Sequence, residues 1–489
     1  MGQGGGGGVC IDRRGDDARR AGHVMTANVH IAEARRNAVH ALSTLVEAEE
    51  SIEKAVLGQD LFGLLRVILW LRPGAEEGAL RARVEGALAG SGRFWTGQVW
   101  ISSAKTSRAD KLVYSSAWDE GITVPGIDKF RIDDRTRTRT AWLPRFRTPP
   151  WEASRKWRPA KAETKEDGTP AKGPPIVVFY SFKGGVGRTT ALAAFAIQRA
   201  REGERVLVID MDLDAPGAGT LLAPDPKDLP GGDDDASRGV VDYLLEAPLG
   251  DVPFGDYVHR CRRESLVGDA EGAEIVVMPA GSVDESYLAK LSRIDLEVRG
   301  ERHPLEGLLV HARDEIEPDW ILLDSRAGLS ASAGLLLDGI AHLHVLFGTN
   351  STQSQLGLTQ VIRNLGEERI RRDGLQANCF VVQAMVVDNV AVEKLARAQF
   401  QDWLEGTMRD HYLVAADEDP GDEFWSVRDI DTKSAPSRAI AIPYRSRFAF
   451  FPSLDDVVPD LVVGSYREVA GRILAQFPVG EKGPDQGVD

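Results

Sequence analysis

Three groups of residues in this chain have the types and spacing to hold and act on a phosphate. The first is Lys183, Gly184, Gly185, Val186, Gly187, Arg188, Thr189 and Thr190. Closely spaced glycines let a backbone curl round a phosphate with its N–H groups inward, because such a curl needs some positive φ angles and leaves little room for Cβ atoms. The second is Asp210-Met211-Asp212, which closes the apolar run V-L-V-I. A carboxylate beside a phosphoryl group can align a water for in-line attack. The third is Asp324, at the end of W-I-L-L-D, a hard oxygen ligand of the kind Mg²⁺ takes.

Positioning these groups requires strands and helices in alternation. I-V-V-F-Y before the glycine loop reads as a strand and A-L-A-A-F-A-I-Q-R-A behind it as a helix. The N-terminal amides and dipole of that helix would point at the same anion. Set against G-x-x-x-x-G-K-[ST], Thr189 stands at the metal-binding hydroxyl, Arg188 at the lysine, and Lys183 earlier in the loop. Arginine supplies a planar fork of donors where lysine supplies a compact ammonium. Further strands are expected at V-L-V-I-D, E-I-V-V-M-P, W-I-L-L-D, L-H-V-L-F and C-F-V-V-Q. Several are continuous apolar runs, as strands covered on both faces should be. The fold class is therefore α/β, a doubly wound and mostly parallel sheet with a ligand edge at the strands' carboxyl ends.

K-G-G-V-G-R-T-T resembles the deviant Walker A loop of the ParA/MinD (CobQ/CobB/MinD/ParA) superfamily of P-loop ATPases, in a K-G-G-V-G-R variant form. V-L-V-I-D-M-D-L-D-A-P-G and D-W-I-L-L-D-S-R-A-G resemble its second signature and its Walker B element. The resemblance implies a SIMIBI-like P-loop fold and a cytoplasmic ATPase that binds ATP and Mg²⁺. It also implies an ATP-dependent homodimer that acts as a switch through slow hydrolysis. It assigns catalysis to Lys183, Arg188 and Asp212, with Lys183 reaching the partner's nucleotide across the dimer. Gly184, Gly185, Val186, Gly187, Arg188, Thr189 and Thr190 would bind the nucleotide, and Thr189, Asp210 and Asp324 the metal. Gly328 would sense the γ-phosphate through its amide, and Pro443 and Tyr444 would form the late loop that packs on the base. Tyr444 can stack there or serve as a core tyrosine. Where relatives often carry proline this chain has Arg326, whose charge can serve phosphate, a partner or an ion pair. Gln383 replaces an expected asparagine, which leaves ATP against GTP open.

Composition bounds the remainder. The 489 residues are 43% hydrophobic and 27% charged, with a net charge of −15, which opposes whole-surface attraction to nucleic acid or anionic membrane. Cys10, Cys261 and Cys379 are far apart and suggest neither a disulfide framework nor a zinc site. Five segments are expected: 1–27 disordered, 28–125 a small α+β domain, 126–174 a basic linker, 175–478 the ATPase domain, and 479–489 a disordered tail. Within 28–125 we read a helix from about Ala32 to Leu57, a strand at R-V-I-L-W-L-R, a helix at E-G-A-L-R-A-R-V-E-G-A-L, and strands at G-Q-V-W-I-S-S and K-L-V-Y-S-S. No chemical motif stands there, so an unknown protein partner is its expected ligand.

Between Lys129 and Lys172, thirteen Lys or Arg stand against six acidic residues, with Phe130, Trp142, Phe146, Trp151 and Trp157 among them. Such a segment can track DNA without sequence preference, with Arg135, Arg137 and Arg139 as candidate contacts, or form a connector whose tryptophans dock on a neighbouring domain. Pro144, Pro149, Pro150 and Pro159, which break regular structure, favour the connector. The acidic stretch near residue 230 reads as a solvated loop, and Y-R-E-V-A-G-R-I-L-A-Q-F as a core-packing helix, not a membrane-docking one. The alternative to an ATPase is a non-hydrolysing, nucleotide-dependent scaffold.

Overall fold

The computed structural model describes residues 29–60, 62–103, 106–119, 121–134, 146–158, 170–222, 238–294, 303–387, 389–415, 424–451 and 453–478. The expectations for 1–27, Arg135, Arg137, Arg139, Trp142, the stretch near 230 and 479–489 lie outside them. The chain divides into two units, Met1–Thr140 and Ala141–Asp489.

In the first unit α1 (Ile31–Ala48), β1 (Ile52–Gln59), β2 (Leu65–Leu71), α2 (Glu77–Leu88), β3 (Trp95–Ser102), α3 (Arg108–Asp119), β4 (Ile122–Val124) and β5 (Ile127–Asp134) follow in order. The strands form one mixed sheet, β3-β2-β1-β5-β4. Ala38, Leu42 and Val46 of α1 and Leu80, Val84 and Leu88 of α2 bury one face of it. On the other face α3 sets Tyr114, Ala117 and Trp118 against Val56, Ile68, Trp70 and Trp100.

Three sequence readings change here. The helix expected to Leu57 stops at Ala48, and Ile52–Gln59 is a strand at the centre of the sheet. A buried central strand is apolar on both faces, so its pattern does not separate from that of a helix. K-L-V-Y-S-S is part of helix α3, because Tyr114, Ala117 and Trp118 share one helical face while Leu112 and Val113 are exposed. The sheet also runs past residue 125, since β5 pairs in parallel with β1.

The second unit opens with β6 (Glu152–Ala153) and β7 (Lys172–Gly173), which pair with each other. There follow β8 (Ile176–Ser181), α4 (Arg188–Ala200), β9 (Arg205–Met211), α5 (Ala218–Leu221), α6 (Val240–Glu246), β10 (His259–Cys261), α7 (Glu264–Val267), β11 (Glu274–Met278), α8 (Tyr287–Leu291) and α9 (Pro304–Ile316). The unit ends with β12 (Trp320–Ser325), α10 (Ala331–Leu336), β13 (Leu343–Gly348), α11 (Thr352–Arg363), α12 (Arg369–Asp373), β14 (Cys379–Val386), α13 (Val390–His411), β15 (Ile440–Pro443), α14 (Val458–Leu461) and α15 (Gly464–Ala475).

Eight strands form the sheet β10-β11-β9-β12-β8-β13-β14-β15, parallel throughout except for β10 against β11. This is an α/β fold with a mostly parallel central sheet of the P-loop NTPase kind; the N-terminal unit is a further, β-rich one. Strands β8, β11, β12 and β13 are buried at every residue. Val178, Tyr180, Ile209 and Leu323 face one core, and Val177, Phe179, Val208 and Leu322 the other. Helix α4 and Val469, Ala470 and Ile473 of α15 complete the second core. The chain leaves β8 toward β9 on one side and later returns past it to β13. That reversal makes the carboxyl end of β8 a topological switch point, where ligands bind. Among the described residues no helix is long and apolar enough to cross a membrane.

The aromatics before β8 are spoken for. Trp151 and Trp157 are buried, donating their indole N–H groups to the carbonyls of Pro174 (2.8 Å) and Pro318 (2.9 Å). Arg313 lies over both rings, 5.8 and 4.8 Å from their centroids. Their faces are closed to nucleic-acid bases, as a docked connector requires.

Candidate functional site

The loop that leaves β8 turns into α4 through Gly187, the N-cap residue, at φ +85°, with Gly185 at φ +71°. At these two positions the left-handed region accounts for glycine. Crowding does not, because a Cβ on Gly184, Gly185 or Gly187 would meet nothing within 4 Å. The open side faces a cavity of about 810 Å³, lined by the loop from Gly184 to Thr190 together with Asp212 and Asp214.

Arg188, Thr189 and Asp212 of the lining belong to a buried charge cluster that extends behind it to Asp324. Strand β9 leads to Asp212, and β12, hydrogen-bonded between β9 and β8, delivers Asp324. From the first turn of α4, Arg188 donates its Nε to Asp324 Oδ1 at 2.7 Å and its Nη2 to Asp212 Oδ2 at 3.0 Å. Thr189 Oγ1 donates to Asp324 Oδ2 at 2.7 Å. All three charged residues are buried. Burial alone would lower the Arg188 pKa, but Asp324 and Asp212 outweigh it and hold the guanidinium above its ordinary value. Asp212 Oδ1 is buried without a hydrogen-bond partner. An orphaned carboxylate oxygen beside a threonine hydroxyl and a second carboxylate is a donor set that fits Mg²⁺ and its waters.

Other expected site residues take different positions. Asp210 does not line the cavity: its Oδ1 accepts from the Asp212 amide, and its Oδ2 from the amides of Gly217 and Ala218. These bonds brace the loop after β9. Burial and the nearby Asp324 push the Asp210 pKa to about 7, against those three amides. Gly328, at φ +80°, gives its amide to the Ser181 carbonyl at 3.2 Å. Arg326 forms an ion pair with Asp214. Gln383 is buried away from the cavity, its Nε2 donating to Asn350 Oδ1 at 2.7 Å and to the Ala396 carbonyl at 3.2 Å. Pro443 and Tyr444 line the cavity, and Tyr444 is 42% exposed, so it is not a core tyrosine. Lys183 is half-buried and does not line the cavity.

Asp214, Met385, Ile442, Phe448 and Tyr466 also line it and were not singled out from the sequence. Phe448 follows Pro443 in the same loop, a proximity that could have flagged it. Met385 gave no such signal, because its position depends on a bulge in β14 that places it at φ +56°.

A glycine loop between a buried strand and a helix, with a threonine and a carboxylate on the cavity and a second carboxylate buried behind them, is the arrangement of a P-loop nucleotide-binding site. Residues 177–398 match the model of the CobQ/CobB/MinD/ParA nucleotide binding domain. The chain is 25% identical over 162 residues to the septum site-determining protein MinD of Buchnera aphidicola subsp. Schizaphis graminum, a match that covers 33% of this chain. It spans about half, 48%, of that curated relative's length. Among solved structures, the cell division ATPase MinD of Pyrococcus furiosus is similar at 21% identity and a TM-score of 0.30, over 43% of this chain and 71% of that one. A plasmid partition protein from Borrelia burgdorferi is similar at 15% identity and a TM-score of 0.36, over 62% of this chain and 100% of that one. Likeness at that level carries nothing about residue roles.

Proposed function

We propose that the second unit is a Mg²⁺-dependent ATPase that dimerises on ATP and returns to the monomer by slow hydrolysis. The observation that supports it is the joining of Arg188, Thr189 and Asp212, which line the cavity that the glycine loop walls, to the buried Asp324 behind them. The loop amides and the N-terminus of α4 would bind the phosphates. Thr189 and Asp324 would hold Mg²⁺, which when bound neutralises charge along the phosphate chain. Asp212, through its unpartnered Oδ1, would accept a hydrogen bond from the attacking water and hold it in line. Arg188 would donate to phosphate oxygens once it leaves the carboxylates, and Lys183 would serve the nucleotide of a second copy. The first unit would recognise a protein partner.

Calorimetric titration of the full chain with ATP and with GTP, each with magnesium, tests the binding step. Heat with ATP is expected, and its absence with both nucleotides overturns the reading. Light scattering with and without ATP tests dimer formation. A second reading, a nucleotide-gated scaffold with negligible turnover, is supported by one observation: the Arg188 guanidinium engages the carboxylate that would align water.

A further inference from the structure

A triphosphate in the cavity needs a cation for its terminal phosphate. Among the described residues the cationic side chains that line the cavity are Arg188, Arg326 and Arg445, against the carboxylates of Asp212 and Asp214. We infer that Arg326 is the side chain by which the site tells a nucleoside triphosphate from a diphosphate: it leaves Asp214 and pairs with the terminal phosphate. The inference rests on the nucleotide reading above and deepens it by naming a residue that separates substrate from product.

Position in the sheet sets Arg445 aside. It follows β15, three strands from β8 and so roughly 14 Å across the sheet, and Asp460 holds its guanidinium at 2.7 Å. Arg326 follows β12, which pairs directly with both β8 and β9. The last pair of the β12–β9 ladder is Ser325 with Met211, so Arg326 stands one residue further on, level with Asp212. Asp212 is the carboxylate proposed to align the attacking water. The phosphate beside that water is the terminal one.

The cost of release separates the other two. Arg188 is buried between Asp324 and Asp212, and its departure strands two carboxylates away from water. Arg326 and Asp214 form an ion pair with side chains 39% and 41% exposed. A pair so open contributes little, because water takes over the hydrogen bonds of both partners when it parts. A terminal phosphate carries more charge than a carboxylate and accepts from both arms of a guanidinium, so it displaces Asp214 on favourable terms. A diphosphate ends one phosphoryl group short and leaves the pair in place. Two residues on, Gly328 does not line the cavity, and its amide is given to the Ser181 carbonyl at 3.2 Å. Arg326 is the charged group that this turn presents.

The test is calorimetric affinity of the full chain for the magnesium complexes of ADP and of the non-hydrolysable β,γ-imido analogue of ATP. It is measured in the parent, Arg326→Ala, Asp214→Ala and the double variant. Both positions are half-exposed, so these substitutions leave the fold intact. The parent should bind the analogue more tightly than ADP. Arg326→Ala should weaken the analogue roughly tenfold or more and leave ADP within about threefold. Asp214→Ala, which frees the guanidinium, should strengthen the analogue alone. The double variant should bind the analogue roughly tenfold or more below Asp214→Ala, because the phosphate contact itself is gone. A double variant that matches Asp214→Ala would mean that Arg326 only neutralises Asp214, and would overturn the inference. Equal loss of both nucleotides in Arg326→Ala, loss of neither, or a parent that binds the two alike overturns it as well, with the nucleotide reading left standing. A parent that binds neither overturns the nucleotide reading itself.

Discussion

Arg188 Nε lies 2.7 Å from Asp324 Oδ1, so the side chain at the P-loop lysine position is joined to the carboxylate that closes the Walker B strand. The same guanidinium reaches Asp212. Replacing Arg188 by Ala leaves two buried carboxylates without their counter-ion. Breaking a buried ion pair from one side typically costs about 3–5 kcal/mol. Urea unfolding of Arg188→Ala at neutral pH should show a loss of that order, and Arg188→Lys, a single point charge, an intermediate one. A variant as stable as the parent would show that the cluster contributes no net stability.

Turnover depends on Asp212 if it aligns water. Asp212→Ala should lower the ATP hydrolysis rate by roughly a hundredfold or more, the scale of a lost general base. Equal rates in parent and variant would remove Asp212 from the mechanism. Zero turnover in the parent, with ATP binding retained, would select the scaffold reading.

Gly357 on α11 leaves room for Phe182, the first residue of the loop after β8. A Cβ at Gly357 would stand 2.1 to 2.4 Å from three atoms of the Phe182 ring. Gly357→Ala should therefore push Phe182 toward the loop, cost about 1–3 kcal/mol as overpacking does, and weaken nucleotide binding. Unchanged affinity would show that the ring moves aside without disturbing the loop.

His342 ties β8 to the connector. Its Nδ1 accepts from the Ile176 amide and its Nε2 donates to the Trp151 carbonyl, both at 2.9 Å, which fixes the neutral ring. Burial pushes its pKa down from 6.5 to about 4, and His344 beside it is lowered to about 4 as well. Between those values the unfolded chain binds the extra protons, so stability is full above 6.5 and falls as the pH drops toward 4. Urea unfolding across that range should show the decline. His342→Leu should lower stability at pH 7 yet reduce the pH slope by about one proton. An unaltered slope would assign the effect elsewhere.

Trp157→Ala removes a buried indole, its hydrogen bond to Pro318 and the ring beneath Arg313. A loss of about 3–5 kcal/mol is expected in denaturant unfolding. A change below about 1 kcal/mol would return the segment to a solvated linker.

The parts legible in the sequence were those whose chemistry is local. A strand ending in Asp324 and a glycine loop before a helix are short-range patterns, and Thr189 beside Asp324 followed from their order. What pairs with what was not legible. Sequence spacing cannot show that Asp212 and Asp324 lie on either side of the Arg188 guanidinium. The D-x-D pattern likewise does not announce that Asp210 accepts the amides of Asp212, Gly217 and Ala218. Nor could the sequence show that Gln383, standing where an asparagine was expected, donates its amide to Asn350 of the preceding strand-to-helix loop.

In the first unit the difficulty was periodicity. L-V-Y at 112–114 has no phase of its own, and only the aromatic surface of β2 and β3 decides that Tyr114 and Trp118 face inward one helical turn apart. β5 was lost in a basic segment because its charged residues carry no strand signature; pairing beside β1 decides it.

A carboxylate oxygen that accepts from a guanidinium is a weaker ligand for a divalent ion, so in the proposed site Arg188 and magnesium would compete for Asp324. Observed affinity for the metal–nucleotide complex would then be the intrinsic value scaled by the fraction of molecules in which the arginine has swung away. Sensitivity to ligand concentration would thereby be set by a side chain within the protein, and a single substitution at Arg188 would retune it.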